Sequence, residues 1–148
     1  MKTSELDTPV LLVDGDAVDR NMARMAALAS DAGIAWRPHA KAHKSPAVAK
    51  MQIEAGACGI CCAKLGEAEV MVAGGAKDIL ITTPVIGPSK LMRLMQVANQ
   101  ATVSVVADDP SNIEEMAMCA HTAGVRPDVV IEVDVGQGRC GVQPGEQA

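Results

Sequence analysis

Phenylalanine and tyrosine are absent from the 148 residues, and there is a single tryptophan. Stacking of bases on aromatic side chains is thereby excluded as a main mode of nucleic-acid binding. Positive charge is also scarce, with 13 Lys and Arg against 18 Asp and Glu and a net charge of −5. That balance gives no broad attraction to a polyanion or an anionic lipid surface, so neither nucleic acid nor membrane is an expected partner. No uninterrupted apolar run approaches the roughly 20 residues of a membrane-spanning helix. Residues Met1 to Asp7 are polar and lack the apolar core of a secretion signal. Five cysteines, an odd number in an ordinary-sized domain, do not suggest a disulfide framework. The expectation is a cytoplasmic protein with reduced thiols. Hydrophobic residues make up 49% and charged residues 21%, the balance of a globular domain whose core is Ala, Val, Leu, Ile and nine Met.

Short apolar runs recur at even intervals, each followed by a helix-like segment. Val10 to Val13 reads as a strand, with Asp14 or Asp16 capping a helix to about Ser30. Ile34 to Arg37 reads as a second strand. Ser45 caps a helix with Pro46 in its first turn that stops before Gly56. Strands are then expected over Cys58 to Cys62, Asp78 to Thr82, Thr102 to Val106 and Asp128 to Val135. Helices are expected over Glu67 to Ala73, Ser89 to Ala98 and Asp109-Pro110 to near Gly124, and Pro144 could open another. Nearly all-apolar strands alternating with amphipathic helices mean parallel βαβ units. A doubly wound sheet and a (β/α) barrel both fit, with even spacing favouring the barrel. Since a closed barrel takes about 250 residues, this would be part of one.

Arg37, His39, Lys41 and His43 occupy alternate positions. In an extended chain they share a face and leave the carboxyl end of a parallel strand together, where ligands bind in both architectures. A solvated basic loop is one reading. A metal pair from His39 and His43 is another, although i, i+4 ligation normally uses a helix. A lysine beside other cations loses its proton more readily and attacks carbonyls, so the chemistry that suits the cluster is a lysine imine on Lys41. Lys44 is the alternative lysine, on the opposite face.

Gly136-Gln137-Gly138-Arg139-Cys140-Gly141 formally matches the dinucleotide-binding pattern, but no helix begins inside it and it follows a late strand. A loop whose glycines let backbone approach a ligand, with Arg139 as a fixed cation, fits better; a plain surface turn is the alternative. Glu132 and Asp134 share a face of the preceding strand and call for basic partners, Arg139 among them. Cys58 and Cys61 have CxxC spacing, but no second pair completes a zinc site, and in an apolar strand cysteines serve as small hydrophobes. The Met-rich segment Leu91 to Val97 reads as core, His121 as a helix C-terminal charge and Glu67 as a first-turn helix charge.

Arg37-Pro38-His39-Ala40-Lys41-Ala42-His43-Lys44 resembles the lysine motif of D-threonine aldolases, D-3-hydroxyaspartate aldolases and D-serine dehydratases. Thr8-Pro9, the stretch from Gly59-Ile60-Cys61-Cys62 to Gly66-Glu67-Ala68-Glu69, and Glu132 through Val142 are similar in the same order. The last two resemble the aldolase side more. The resemblance covers essentially the whole chain, with Ala42 standing where the family usually has Thr. It implies a fold-type III enzyme: a partial (β/α)8 barrel of the alanine racemase N-terminal kind, residues 1–148 being its first portion, followed in the family by a C-terminal β domain. It implies pyridoxal 5′-phosphate carried on Lys41 as an imine, with His39 beside it and Arg139 reaching the cofactor's phenolic oxygen or the lysine side. It further implies a divalent metal, Mn²⁺ or Zn²⁺, with ligands outside this sequence, a D-amino acid substrate and a homodimer. The activity implied is cleavage of D-β-hydroxy-α-amino acids to glycine and an aldehyde. D-serine-type dehydration and a non-catalytic cofactor-binding barrel are the alternatives.

Overall fold

The structure, a computed structural model, describes residues 2–145. It falls into two units, Met1–Ile34 and Ala35–Ala148.

In the first unit, helix α1 (Gly15–Asp31) starts where the Asp14 carboxylate accepts the Ala17 N–H at 2.9 Å. The expected strand over Val10 to Val13 is not formed. All four side chains are exposed, and the segment pairs with no strand among the described residues. Apolar content alone cannot make a strand without a ladder partner.

The second unit carries helix α2 (Pro46–Glu54), capped by Ser45, and then a strict alternation. Strand β1 (Ile60–Cys62) leads to α3 (Leu65–Ala73), β2 (Asp78–Ile81) to α4 (Pro88–Ala98), and β3 (Thr102–Ala107) to α5 (Pro110–Ala123); β4 (Asp128–Ile131) ends the series. The strands are parallel and lie in the order β1-β2-β3-β4, with Ile60 opposite Ile79, Ile79 opposite Val103 and Val105 opposite Val129. A doubly wound sheet reverses direction at a switch point; this order never does, which decides for the barrel type. Successive right-handed crossovers place α3, α4 and α5 side by side on one face. There Ile60, Ile79, Ile81, Val103 and Val105 pack with Met71, Leu91, Leu94 and Met116 in one core. Burying such side chains contributes about 1.5–3 kcal/mol each. Of the Met-rich helix, Leu91, Leu94 and Met95 are buried as expected, whereas Met92 is exposed.

The strand expected over Ile34 to Arg37 is reduced to a single bridge between His39 and Cys61. Residues 36–40 do run beside β1: Cys58 N–H donates to the Trp36 carbonyl, Cys61 N–H to Pro38, and Ala40 N–H to Cys61. Pro38 has no N–H to return, so the ladder stays incomplete. The last strand is shorter than expected, ending at Ile131 instead of Val135. A helix opening at Pro144 would lie mostly outside the described residues. None of the described helices is long and apolar enough to cross a membrane.

Candidate active site

The lysine segment leaves the His39 bridge as a turn, closed by Lys44 N–H donating to the Ala40 carbonyl at 2.8 Å. The common face predicted for Arg37, His39, Lys41 and His43 is therefore not formed, because alternation holds only in extended chain. Arg37 points to the amino end of the sheet, with a two-pronged bond to Asp78 at 2.6 and 3.2 Å. A Cβ on Gly59 would lie 2.0 Å from the Arg37 guanidinium, so glycine there is what admits the pair. His43 accepts the Ser45 N–H on Nδ1, and its Nε2 is buried without a partner among the described residues.

His39 pairs with Cys61 near the carboxyl end of β1, and its ring reaches Thr82, just past the end of β2. Its Nδ1 accepts the Lys41 N–H at 3.3 Å, which makes Nε2 the protonated nitrogen and donor to Thr82 Oγ1 at 3.2 Å. The Thr82 hydroxyl then donates to the Cys62 carbonyl at 3.2 Å. Burial, and then the charge of Lys41, lowers the His39 pKa below the ordinary histidine value. The expected cation beside Lys41 is thus a neutral imidazole. Ala40 is buried, whereas Lys41 and Ala42 are exposed at the crest of the turn. No ion pair among the described residues includes Lys41.

Lys44 differs. Its ammonium is held by the carboxylate of Glu67, whose other oxygen accepts the Ala63 N–H at 2.7 Å. Glu67 does stand in the first turn of α3 as expected, and at 7% exposure it is also a buried charge with a specific partner. Burial pushes its carboxyl up, but the bonds from Lys44 and Ala63 outweigh that and hold it below the usual range. The signal for this was present: Glu67 shares the buried helical face of Ala68, Met71 and Val72, and a carboxylate on such a face requires a partner. Next to it, burial and then the Glu67 charge push the Cys62 thiol up to about 12, which makes it an inert core residue.

The glycine loop folds on itself. Asp134 accepts the N–H groups of Gly136 and Gly138 at 2.9 and 3.0 Å, and these bonds, Gly138 first, hold its carboxyl low. These amides are therefore not available to a phosphate, and Asp134 needs no basic partner. Gly141 N–H donates to Asp108 at 2.8 Å beyond the end of β3, which keeps the loop at the carboxyl end of the sheet. Arg139 is exposed and forms no ion pair among the described residues. Asp108, Glu132 and Cys140 offer ligand atoms within 4.8 Å of one another, the only such set among the described residues that includes this loop.

A parallel sheet that never reverses, with a lysine raised at its carboxyl end, narrows the family, and comparison with known proteins decides it. Residues 13–148 match the alanine racemase N-terminal domain. The chain belongs to the alanine racemase N-terminal domain family. It is 46% identical to a D-threonine aldolase of Arthrobacter sp. over 94% of the chain and 37% of that protein. It is 41% identical to the 3-hydroxy-D-aspartate aldolase of Paracoccus denitrificans over 99% of the chain and 38% of that protein. The D-threonine aldolase structure from Filomicrobium marinum superposes with a TM-score of 0.96 at 43% identity, over 98% of this chain and 39% of that one. The chain spans less than two fifths of the length of these relatives. Within this family fold, the donor set fits a carbonyl-bearing cofactor. Lys41 offers an exposed amine with no carboxylate against it, and Arg139 is a cation with no acidic partner among the described residues.

Proposed function

We propose that the full protein is a pyridoxal-phosphate-dependent lyase that cleaves D-β-hydroxy-α-amino acids of the D-threonine kind to glycine and an aldehyde. The observation that carries this reading is Lys41, exposed and without an acidic partner at the carboxyl end of a parallel barrel sheet, in a chain similar to two aldolases. Lys41 would hold the cofactor through its amine. Arg139 would pair its planar fork with a cofactor oxygen, for which a lysine is a poor substitute. When bound, the cofactor supplies an electron sink for the pair released as the Cα–Cβ bond breaks. The hydroxyl proton leaves, the β-carbon departs as aldehyde, and a proton added at Cα completes glycine. His39 takes part as a neutral group that fixes the Lys41 backbone, not as a cation. A divalent metal, Mn²⁺ or Zn²⁺, acting on the hydroxyl, a homodimer and a cytoplasmic location belong to the same proposal.

The full-length protein, given pyridoxal phosphate and Mn²⁺, is expected to release acetaldehyde and glycine from D-threonine but not from L-threonine. Lys41→Ala should abolish turnover while leaving the fold intact. Unimpaired turnover in Lys41→Ala would contradict the assignment, and pyruvate formed from D-serine with no aldehyde from D-threonine would move the reading to dehydration.

A further inference from the structure

Among the described residues, Lys44 is the one residue other than glycine with positive φ, at +51°. A side chain in that region is unfavourable unless its surroundings fix it, and such outliers mark functional turns more often than chance. Here the fixing groups are visible. Lys44 N–H closes onto the Ala40 carbonyl, and its ammonium reaches the buried Glu67 carboxylate. Through its second oxygen Glu67 also holds Ala63 N–H, just after β1. At the other end of the turn, Ala40 N–H is held by the Cys61 carbonyl and Lys41 N–H by His39. The turn is thus bolted at both ends, and Lys41 and Ala42 are the exposed residues between.

We propose that Glu67 is a positioning residue which, by holding Lys44, locks the 40–44 turn so that Lys41 and not Lys44 meets a carbonyl compound. The inference rests on the reading of Lys41 as the reacting lysine and deepens it. Either lysine could in principle react: the free amine adds to the aldehyde carbon, a carbon–nitrogen double bond forms, and the carbonyl oxygen leaves as water. The Lys44 nitrogen, held on the Glu67 carboxylate, must give up that contact before it can reach a carbonyl carbon, whereas Lys41 has no such contact to break. Glu67 would thereby separate two lysines that lie three positions apart.

The test uses the full-length protein with pyridoxal 5′-phosphate, borohydride reduction at timed intervals and peptide mapping. Wild type should carry the label on Lys41. Glu67→Gln keeps an acceptor for Ala63 N–H but loses the charge. Labelling of Lys41 should slow, and the share on Lys44 rise, each by up to roughly five-fold, the size expected for a pair whose lysine is largely exposed. Lys44→Arg retains the pair and should label Lys41 at nearly the wild-type rate. Lys44→Gly suits the backbone yet removes the pair, and should slow Lys41 as Glu67→Gln does. A purely structural Glu67 would lower the melting temperature without moving rate or site. Wild-type label on Lys41 with rate and site unchanged in both Glu67→Gln and Lys44→Gly overturns this proposal alone. Wild-type label on another lysine overturns the underlying assignment instead. If Glu67→Gln does not fold, Lys44→Gly decides.

Discussion

His39 has both ring nitrogens engaged, one by the backbone of Lys41 and one by Thr82. Protonation would put a second hydrogen where Nδ1 now accepts, so the lysine turn is coupled to a neutral imidazole. A histidine whose folded pKa is depressed contributes stability that is fully present above its unfolded value of about 6.5. That contribution is lost as pH falls through the lowered folded value. Glu67, also depressed, acts with the same sign below its ordinary value of 4.5. Urea unfolding at a series of pH values should therefore show no loss from these two groups above pH 7 and a two-stage loss on acidification (about pH 7 downwards). His39→Asn should remove the upper stage and leave the lower one. An unchanged upper stage would show that another group titrates there.

Between elements, the loops do what the strands cannot. Gly141, at φ +102°, lies so close to its own chain that a Cβ would be 2.6 Å from the Asp134 nitrogen and 2.8 Å from the Val133 carbonyl carbon. Gly75, at φ +100°, has open space around the same position. Gly75→Ala suffers only the backbone penalty, about 1 kcal/mol, whereas Gly141→Ala adds the clash and should cost about 2–3 kcal/mol in denaturant unfolding. Equal losses would remove the steric argument. The same contrast explains what was legible in the sequence. Helices α1 to α5 and strands β1 to β4 follow from apolar periodicity and from caps such as Asp14, Ser45 and Asp109, which are local signals. The 10–13 and 34–37 strands failed because a strand also needs a partner with free donors. The four-residue basic face failed because residues 40–44 form a turn, closed by Lys44 N–H on the Ala40 carbonyl, whose Lys44 side chain meets Glu67, 23 residues further on. The absence of an ion-pair partner for Lys41 and the engagement of Lys44 by Glu67 were not legible in the sequence.

At the scale of the whole molecule, β4 is an open edge in the second unit. Val129, Val130 and Ile131 are 38, 44 and 45% exposed, and the outer side of the strand has no ladder partner among the described residues. Exposed, parallel-paired apolar edges recruit other chains. Residues 1–148 expressed alone should therefore associate, giving light-scattering masses above the 15.3 kDa chain that rise with concentration. A monodisperse monomer with a sharp thermal transition would contradict this. The central claim, that this barrel end presents Lys41 for carbonyl chemistry, is tested most directly by mass spectrometry of the full-length protein after incubation with pyridoxal phosphate and borohydride. One reduced adduct is expected, on Lys41, absent from Lys41→Ala. An adduct on Lys44 or Lys50 in the wild-type protein, or a full adduct in Lys41→Ala, would contradict it.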